Sequence, residues 1–359
     1  MSTVSIDLAR EGFRRARDHS EKVYEAGQLL ARAAQGRPFA ADTLREAFTT
    51  SDFPALLNDG LNTKAITAYR DTPKEFEDVL FDVTVEDFHR RKLVDLWGAT
   101  AFERVLEGEE YKGGPFETTE IEHGLGKFGR AYGVTWELWL SRRFHELADF
   151  PRALVQGAVK AQNKAVADVL VQGGAWNPEF FETVSNLPLT ADNLRQAIDE
   201  LAIRENHRGD LVDVSDLYLV HGPALRAQVT DMLVNLSEIE VKTSGGSRSS
   251  TVKITNPFRN VVKPLESRAI GTALGTSQST AWALVQGKSS DLPSLIRTNL
   301  QGHPEVDIRV KKDQGQYVGG GDVPVEQGSF KDDTTWFRGR SVLGIDAGFT
   351  PGVWASAGA

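Results

Sequence analysis

The chain contains no cysteine. That absence excludes disulfide frameworks, thiolate metal sites and a cysteine nucleophile. Long apolar runs are missing as well: none approaches the ~18 residues of a membrane span. The opening MSTVSIDLAREGFRRARDHS also lacks the apolar centre of a signal peptide. The expected setting is the cytoplasm in which the chain is made, with no membrane partner. An excess of positive charge is absent too, since Lys+Arg 41 against Asp+Glu 50 leaves −9. Such a balance argues against a general nucleic-acid binder, whose affinity comes from neutralising phosphates, and leaves room only for weak contact with DNA.

Signs of catalysis are equally thin. The seven histidines are scattered, with no pair at metal-ligand spacing. His145-Glu146 begins like a zincin helix, but Asp149 stands where the second histidine is needed. There is no G-x-S-x-G elbow. Gly124-Leu125-Gly126-Lys127-Phe128-Gly129 fits the dinucleotide fingerprint G-x-G-x-x-G, yet polar TTEIEH precedes it and strand-like AYGVTWELWL follows. The mechanism of that fingerprint needs a buried strand before it and a helix after it, so these glycines read as loop flexibility. Gly319-Gly320-Gly321 has no following Lys-Ser/Thr and reads as a surface turn. No catalytic, cofactor-binding or metal-binding residue is assigned, and no cofactor is expected.

What is present is ordinary globular chemistry, with 359 residues, 40% hydrophobic and 25% charged, enough for about two domains. Ile6 to Ala34 reads as an amphipathic helix closed by Gln35-Gly36-Arg37-Pro38. Phe81 to Phe88 alternates as a strand does. A long helix is expected over Arg152–Gln172, with Leu154/Val155, Ala158/Val159, Ala165/Val166 and Val169/Leu170 on its apolar face and Gly173-Gly174 as its stop. Thr190 suits the N-cap of a helix carrying Leu194, Ala197, Ile198 and Leu201. Leu217–Val220 reads as a buried strand, and a helix starts after Gly222-Pro223. A hairpin is expected around TSGGSRSST, with strands at Ala281–Val285, Val306–Val310 and Thr334–Leu343. Trp336 and Phe337 fall on that last strand, and Ala355–Ala359 is expected to fray.

The least ordinary stretch runs from Phe102 to Leu140. It lacks helical periodicity and breaks at Gly113-Gly114-Pro115. Its first half carries Glu103, Glu107, Glu109, Glu110, Glu117, Glu120 and Glu122, and its second half Lys127, Phe128, Arg130, Tyr132, Trp136 and Trp139. Read as a hairpin of about fifteen residues each way, at ~3.3 Å per residue, it projects roughly 45–50 Å. An isolated two-stranded ribbon is marginal in water, so it needs another surface. A neighbouring copy is the favoured one, with the acidic strand facing basic residues there. The contact candidates are Glu107, Glu109, Glu110, Lys112, Lys127, Phe128 and Arg130.

Several pieces occur in a telling order: Thr49-Thr50-Ser51-Asp52-Phe53-Pro54-Ala55-Leu56-Leu57, Val85-Glu86-Asp87-Phe88, Glu107-Gly108-Glu109-Glu110-Tyr111-Lys112 and Gly129-Arg130-Ala131-Tyr132-Gly133. They are followed by the long helix ending at Gly173-Gly174 and the PLTADNL start at Pro188–Leu194. Together they resemble the major capsid proteins of tailed bacteriophages, particularly the branch related to the Mu-type head subunit. Glu86 stands where that family often has Ser, the acidic turn common before the long helix is missing at Arg142–Glu146, and residues 1–45 match nothing in it.

The resemblance implies an α+β tailed-phage major capsid fold with an N-terminal arm, an extended β-hairpin loop, a peripheral domain with a long spine helix, and an axial domain. Its implied boundaries are 1–48 for an N-terminal helix and linker, 49–102 for the N-arm and start of the peripheral domain, and 103–135 for the extended loop. The peripheral domain with its spine helix follows at 136–187, the axial domain at 188–325, and the return to the peripheral domain and C-terminus at 326–359.

It further implies a non-enzymatic subunit that self-assembles into pentamers and hexamers of an icosahedral shell around phage double-stranded DNA. Assembly would occur in the host cytoplasm, the protein would end in the virion, and portal, scaffolding and decoration proteins would be further partners. Some relatives cross-link a loop Lys covalently to an Asn of a neighbour; Lys112 and Lys127 are placed for it, although solvated loop lysines are the favoured reading. The alternatives are a cellular nanocompartment shell of the same fold and a soluble nucleotide-binding α+β enzyme.

Overall fold

A computed structural model of the chain describes residues 67–69, 71–97, 117–137, 150–206, 209–235, 238–244, 249–255, 261–290, 292–303, 306–323 and 327–358. The elements in chain order begin with strands β1 (Leu80–Val85), β2 (Arg91–Trp97), β3 (Glu117–His123) and β4 (Gly126–Thr135), followed by helix α1 (Phe150–Leu170). Next come β5 (Val171–Gln172), β6 (Ala175–Trp176), α2 (Pro178–Phe181), β7 (Val184–Ser185), α3 (Ala191–Ala202), β8 (Leu217–His221) and α4 (Arg226–Thr230). The chain continues through β9 (Glu238–Ser244), β10 (Ser249–Thr255), β11 (Val262–Glu266), α5 (Arg268–Leu274), β12 (Trp282–Gln286) and β13 (Leu295–Leu300), and ends in β14 (Asp307–Val310), β15 (Thr334–Ala347) and β16 (Trp354–Ser356). The α+β class expected from the sequence is what forms. The N-terminal helix expected at Ile6–Ala34, the Thr49–Leu57 motif and Arg142–Glu146 lie outside the described residues.

The chain divides into two units. One draws on Met1–Pro73, Lys127–Val159 and His303–Val342, the other on Lys74–Gly126, Lys160–Gly302 and Leu343–Ala359. In the first unit β14 runs antiparallel to the beginning of β15, with Asp307 opposite Arg340 and Val310 opposite Phe337. Strand β4 pairs with β15 as well. A small core gathers Leu154, Val155 and Val159 of α1 with Tyr69, Val306 and Ile308. Gly339 permits the close approach of helix and strand, because a Cβ there would meet Leu154 Cδ2 at 2.9 Å.

The second unit is built on the sheet order β11-β8-β12-β16-β7. Strands β8 and β12 are buried along their whole length. Because side chains alternate across a sheet, Leu217 and Leu219 of β8 join Trp282 and Leu284 of β12 under α3 and α4. Tyr218 and Val220 join Ala283 and Val285 under the end of α1, α2 and α5. Both faces are therefore covered, which explains why these strands read as unbroken apolar runs. Beside this sheet, β1 lies parallel to β13 and β13 antiparallel to the end of β15.

Local signals hold up where they had a stereochemical cause. Helix α1 has 21 residues, about 30 Å of rise, and starts and stops two residues before the expected 152–172. The expected stop at Gly173-Gly174 is corrected: the helix already ends at Leu170, β5 follows at once, and the glycine pair, with φ of +61° and +85°, makes the turn after β5. Positive φ at both central positions is what a tight hairpin turn requires, and β5 and β6 pair across it. The Thr190 side chain accepts from the Asn193 N–H, as an N-cap does. After Gly222-Pro223 the expected single helix is instead three short pieces: a 3₁₀ turn, α4 and a π turn at Asp231–Asn235.

The C-terminus corrects the sequence reading. Ala355–Ala359 was expected to fray, but Ala355 and Ser356 are fully buried and β16 pairs with β12. Trp354 stacks on Trp282 with centroids 4.7 Å apart. Small side chains here allow an inner strand to fit between neighbours, so smallness marks packing rather than looseness.

Candidate assembly surfaces

Strand β3 pairs antiparallel with β2, from Arg91 opposite His123 to Trp97 opposite Glu117. A hairpin therefore exists, but its legs differ from the expected ones. The outgoing leg is residues 91–97, and residues 126–135 belong instead to β4, which pairs with β15 of the same chain. The reason is visible in Gly129, whose missing Cβ would lie 2.9 Å from Gly339 O. The glycines read as loop flexibility let this strand seat closely on its neighbour. Strand β4 also begins at Gly126, where the dinucleotide fingerprint would need a helix, so that motif forms no phosphate site.

The base of the hairpin, which belongs to the second unit, is pinned to the rest of that unit by three polar contacts. His123 Nδ1 lies 2.9 Å from Thr298 Oγ1 of β13. The Gly124 N–H donates to Asp346 Oδ2 at 3.0 Å, and Arg90 Nη2 to Asp346 Oδ1 at 3.3 Å. Gly344 makes this seat possible, since a Cβ there would fall 1.7 Å from Gly124 O. Arg90 also pairs with Glu122 at this end, and Lys92 pairs with Glu120 farther out, all on exposed positions. Exposed pairs of this kind set register more than stability.

His123 is buried, and burial pushes its pKa below the usual value; Asp346 opposes this, and Arg91 and Arg90 reinforce it. A histidine with a depressed folded-state pKa stabilises fully above the unfolded value of ~6.5, and that contribution is lost as pH falls through the lower folded value. From pH 7 to pH 5, the protection of the Ile121–Gly124 amides, taken after correction for the intrinsic pH dependence of exchange, should fall in the wild type. In His123→Gln this fall should be absent, and an equal fall in both would contradict the role given to the imidazole.

Of the contact candidates, Glu107, Glu109, Glu110 and Lys112 lie outside the described residues. Lys127, Phe128 and Arg130 lie on β4. Alternation separates them: Lys127 shares a face with Gly129, Ala131 and Gly133, whereas Phe128 and Arg130 share the other with Tyr132 and buried Val134. Arg130 sits over the Tyr132 ring at 5.3 Å.

A basic face of the first unit was not read from the sequence. Trp336, Arg338 and Arg340 alternate with Thr335, Phe337 and Gly339, so this part of β15 turns the indole and the two guanidinium groups outward and buries the other three residues. Trp336 and Phe337 thus part: the indole is exposed while the phenyl ring joins the buried side. Arg309 of β14 stands directly opposite Arg338. Like charges so placed repel unless an anion intervenes. Asp307 accepts from Arg309 Nε at 2.9 Å and from Arg340 Nη2 at 2.8 Å. Arg338 has no ionic partner among the described residues. A groove of about 510 Å³ lies here, lined by Ala131, Arg309, Lys311, Trp336 and Arg338 among others. The alternation in VDIRV and TWFRGR is the sequence signal of this face, since it places the arginines of both strands on one side.

No helix among the described residues is long and apolar enough to cross a membrane. Residues 118–355 match the family described as phage capsid protein. This is more than half of the chain, and the chain belongs to that family. It is a structural capsid protein. Among solved structures, the chain is similar to the capsid of cyanophage P-SCSP1u at 10% identity, covering 79% of this chain and 88% of that one, with a TM-score of 0.48. A virus-like particle from Pyrococcus furiosus is similar at 9% identity, covering 84% and 99%, with a TM-score of 0.47. The mature capsid of bacteriophage PhiM1 is similar at 12% identity, covering 79% and 87%, with a TM-score of 0.45. No curated protein matches the chain.

Proposed function

We propose that the chain is the repeating subunit of a tailed-phage head, of the branch resembling the Mu-type head protein. Copies close into pentamers and hexamers, and these tile an icosahedral shell around double-stranded DNA. The observation that carries this reading is a hairpin seated firmly at its base whose connecting segment, residues 98–116, carries Glu103, Glu107, Glu109 and Glu110 against Arg104 and Lys112, on a chain that also presents a basic, partly unneutralised sheet face. Glu103, Glu107, Glu109 and Glu110 of one copy lie against the basic face of a neighbour, where Arg309 and Arg338 stand opposite each other. Charge complementarity of this kind fixes register and partner more than affinity.

Head-to-tail contacts that close on themselves make rings. Each contact is modest, but every subunit makes several at once, so the closed shell is far more stable than any pair. The net acidic subunit suits the task, because a strongly basic inner wall would retain DNA. The extended loop, the spine helix within α1 and the axial region are assigned to the ranges that the resemblance implies, with the hairpin legs moved to 91–97 and 117–123. Portal, scaffolding and decoration proteins are the further partners, and assembly takes place in the host cytoplasm.

Electron microscopy of the purified chain tests the reading. Closed particles of uniform diameter, containing DNA when made in infected cells, are expected. A monodisperse monomer at high concentration would contradict it, and particles filled with a cargo protein would favour the nanocompartment alternative.

A further inference from the structure

Along the outward face of β15, Arg340, Arg338 and Trp336 place two guanidinium groups and an indole at alternate positions, ~7 Å apart. The indole is 38% exposed. It lies beside Gly133 of β4, where a Cβ would stand 3.4 Å from its six-membered ring. The small residues Ala131 and Gly133 thus leave the ring standing above a low floor. The groove of about 510 Å³ at this ring is lined by Ala131, Arg309, Lys311 and Arg338, and no carboxylate among the described residues lines it. Arg309 and Arg340 share Asp307, while Arg338 has no ionic partner among the described residues. The chemistry that fits is negative charge beside a flat ring. Nucleic acid offers both, but a subunit of net charge −9 opposes it.

One segment of the chain carries that chemistry at the same spacing. Glu107, Glu109 and Tyr111 are two residues apart, and extended backbone turns such positions to one side. Laid antiparallel over β15, they meet Arg340, Arg338 and Trp336 in turn. We infer that this is the register between copies: Tyr111 of one subunit stacks on the Trp336 indole of its neighbour, Glu109 pairs with Arg338, and Glu107 joins Arg340. The inference rests on the proposed shell and adds to it the residues that meet. The charges agree. Residues 107–112 hold three carboxylates and one ammonium, whereas the face holds Arg309, Lys311, Arg338 and Arg340 against Asp307 and Asp313. Neither surface suits its own like, and each suits the other. Residues 98–116 leave the β2–β3 ladder at Trp97 and rejoin it at Glu117, a length that reaches roughly 30 Å when doubled on itself. Stacked rings add a directional contact that ion pairs lack.

Charge reversal in the full-length chain tests the register. Arg338→Glu and Glu109→Arg should each lower the yield of closed particles about tenfold or more, with the circular dichroism of the subunit unchanged. The two together should restore it. Unchanged yields or a lack of rescue would overturn the inference, as would rescue of Glu109→Arg by Lys127→Glu in place of Arg338→Glu. Loss of particles with Arg338→Glu but not with Glu109→Arg would give the groove to another partner and overturn it likewise. Because the chain has no cysteine, Tyr111→Cys combined with Trp336→Cys supplies a second readout. Oxidised particles should run as a ladder of joined subunits on non-reducing denaturing electrophoresis. Monomer alone, open or internally bridged, would contradict the contact between copies. Absence of particles from the wild type would instead bring down the shell reading, and this register with it.

Discussion

Replacing residues 98–116 with an Asn-Gly turn should give a folded subunit that no longer closes shells. Trp97 and Glu117 face each other directly in the β2–β3 ladder, and a two-residue turn is the natural link between such positions. The contacts of His123 with Thr298, and of Gly124 and Arg90 with Asp346, all survive the change. What disappears is Glu103, Glu107, Glu109 and Glu110, the part assigned to a neighbour. Melting temperature should stay within a few degrees, while particle yield by sedimentation should fall to background. Normal particles from this variant would show that the acidic segment has no assembly role. A cut that removed His123 and the start of β4 would be uninformative, because it would damage the subunit's own packing.

The second large effect is on stability. Arg297 Nη1 and Nη2 clasp the Glu77 carboxylate at 2.7 and 2.8 Å, and Nε and Nη2 reach Asp82 at 2.5 and 2.7 Å. Asn299 adds a bond to Asp82 at 2.8 Å. Arg297 is itself buried, and it ties β1 to β13, where Asp82 and Arg297 stand in register. Burial works against its charge, but the two carboxylates more than compensate and raise its pKa. The hydrogen bond from Arg297 leads in lowering Glu77; burial pushes Asp82 upward, but Arg297 outweighs it.

Removing one partner of a buried pair typically costs about 3–5 kcal/mol. Here the carboxylates are close to half exposed and water recovers part of the loss, so Arg297→Met should cost roughly 2–3 kcal/mol. Urea unfolding of the subunit should register it. Both carboxyls have depressed folded-state values, so their contribution is complete above the unfolded range near pH 4 and is lost as pH falls through the folded values. Wild type should therefore lose stability in acid more steeply than Arg297→Met. Parallel curves would mean that the cluster contributes little.

Much of this architecture was legible where a residue type has one stereochemical use. The Thr190 cap and the apolar runs of β8 and β12 are local signals, and the structure agrees with them; Gly173-Gly174 is a turn as its residues require, but between β5 and β6 and not at the end of α1. The pairing of strands was not legible, because register depends on residues far apart in the chain. FGRAYG has the alternation of a hairpin leg, and only the fit of Gly129 to Gly339 and of Gly133 beside Trp336 shows that it belongs to the sheet of β15. The C-terminal ASAGA illustrates the same limit, since small residues suit a loose tail and a crowded inner strand equally well. The glutamates among the candidate contacts are visible in composition alone. The basic face proposed to receive them is not, because Arg309 and Arg338 become neighbours only when β14 meets β15.

The measurement that bears most directly on the central claim is a cryo-electron microscopy map of the assembled particle, traced through residues 98–116. Glu107, Glu109 and Glu110 of each copy should lie over the β4–β15–β14 face of the adjacent copy, within ion-pair distance of Lys127 or Arg338. If the segment instead folds back onto its own subunit, the proposed basis of shell closure is contradicted.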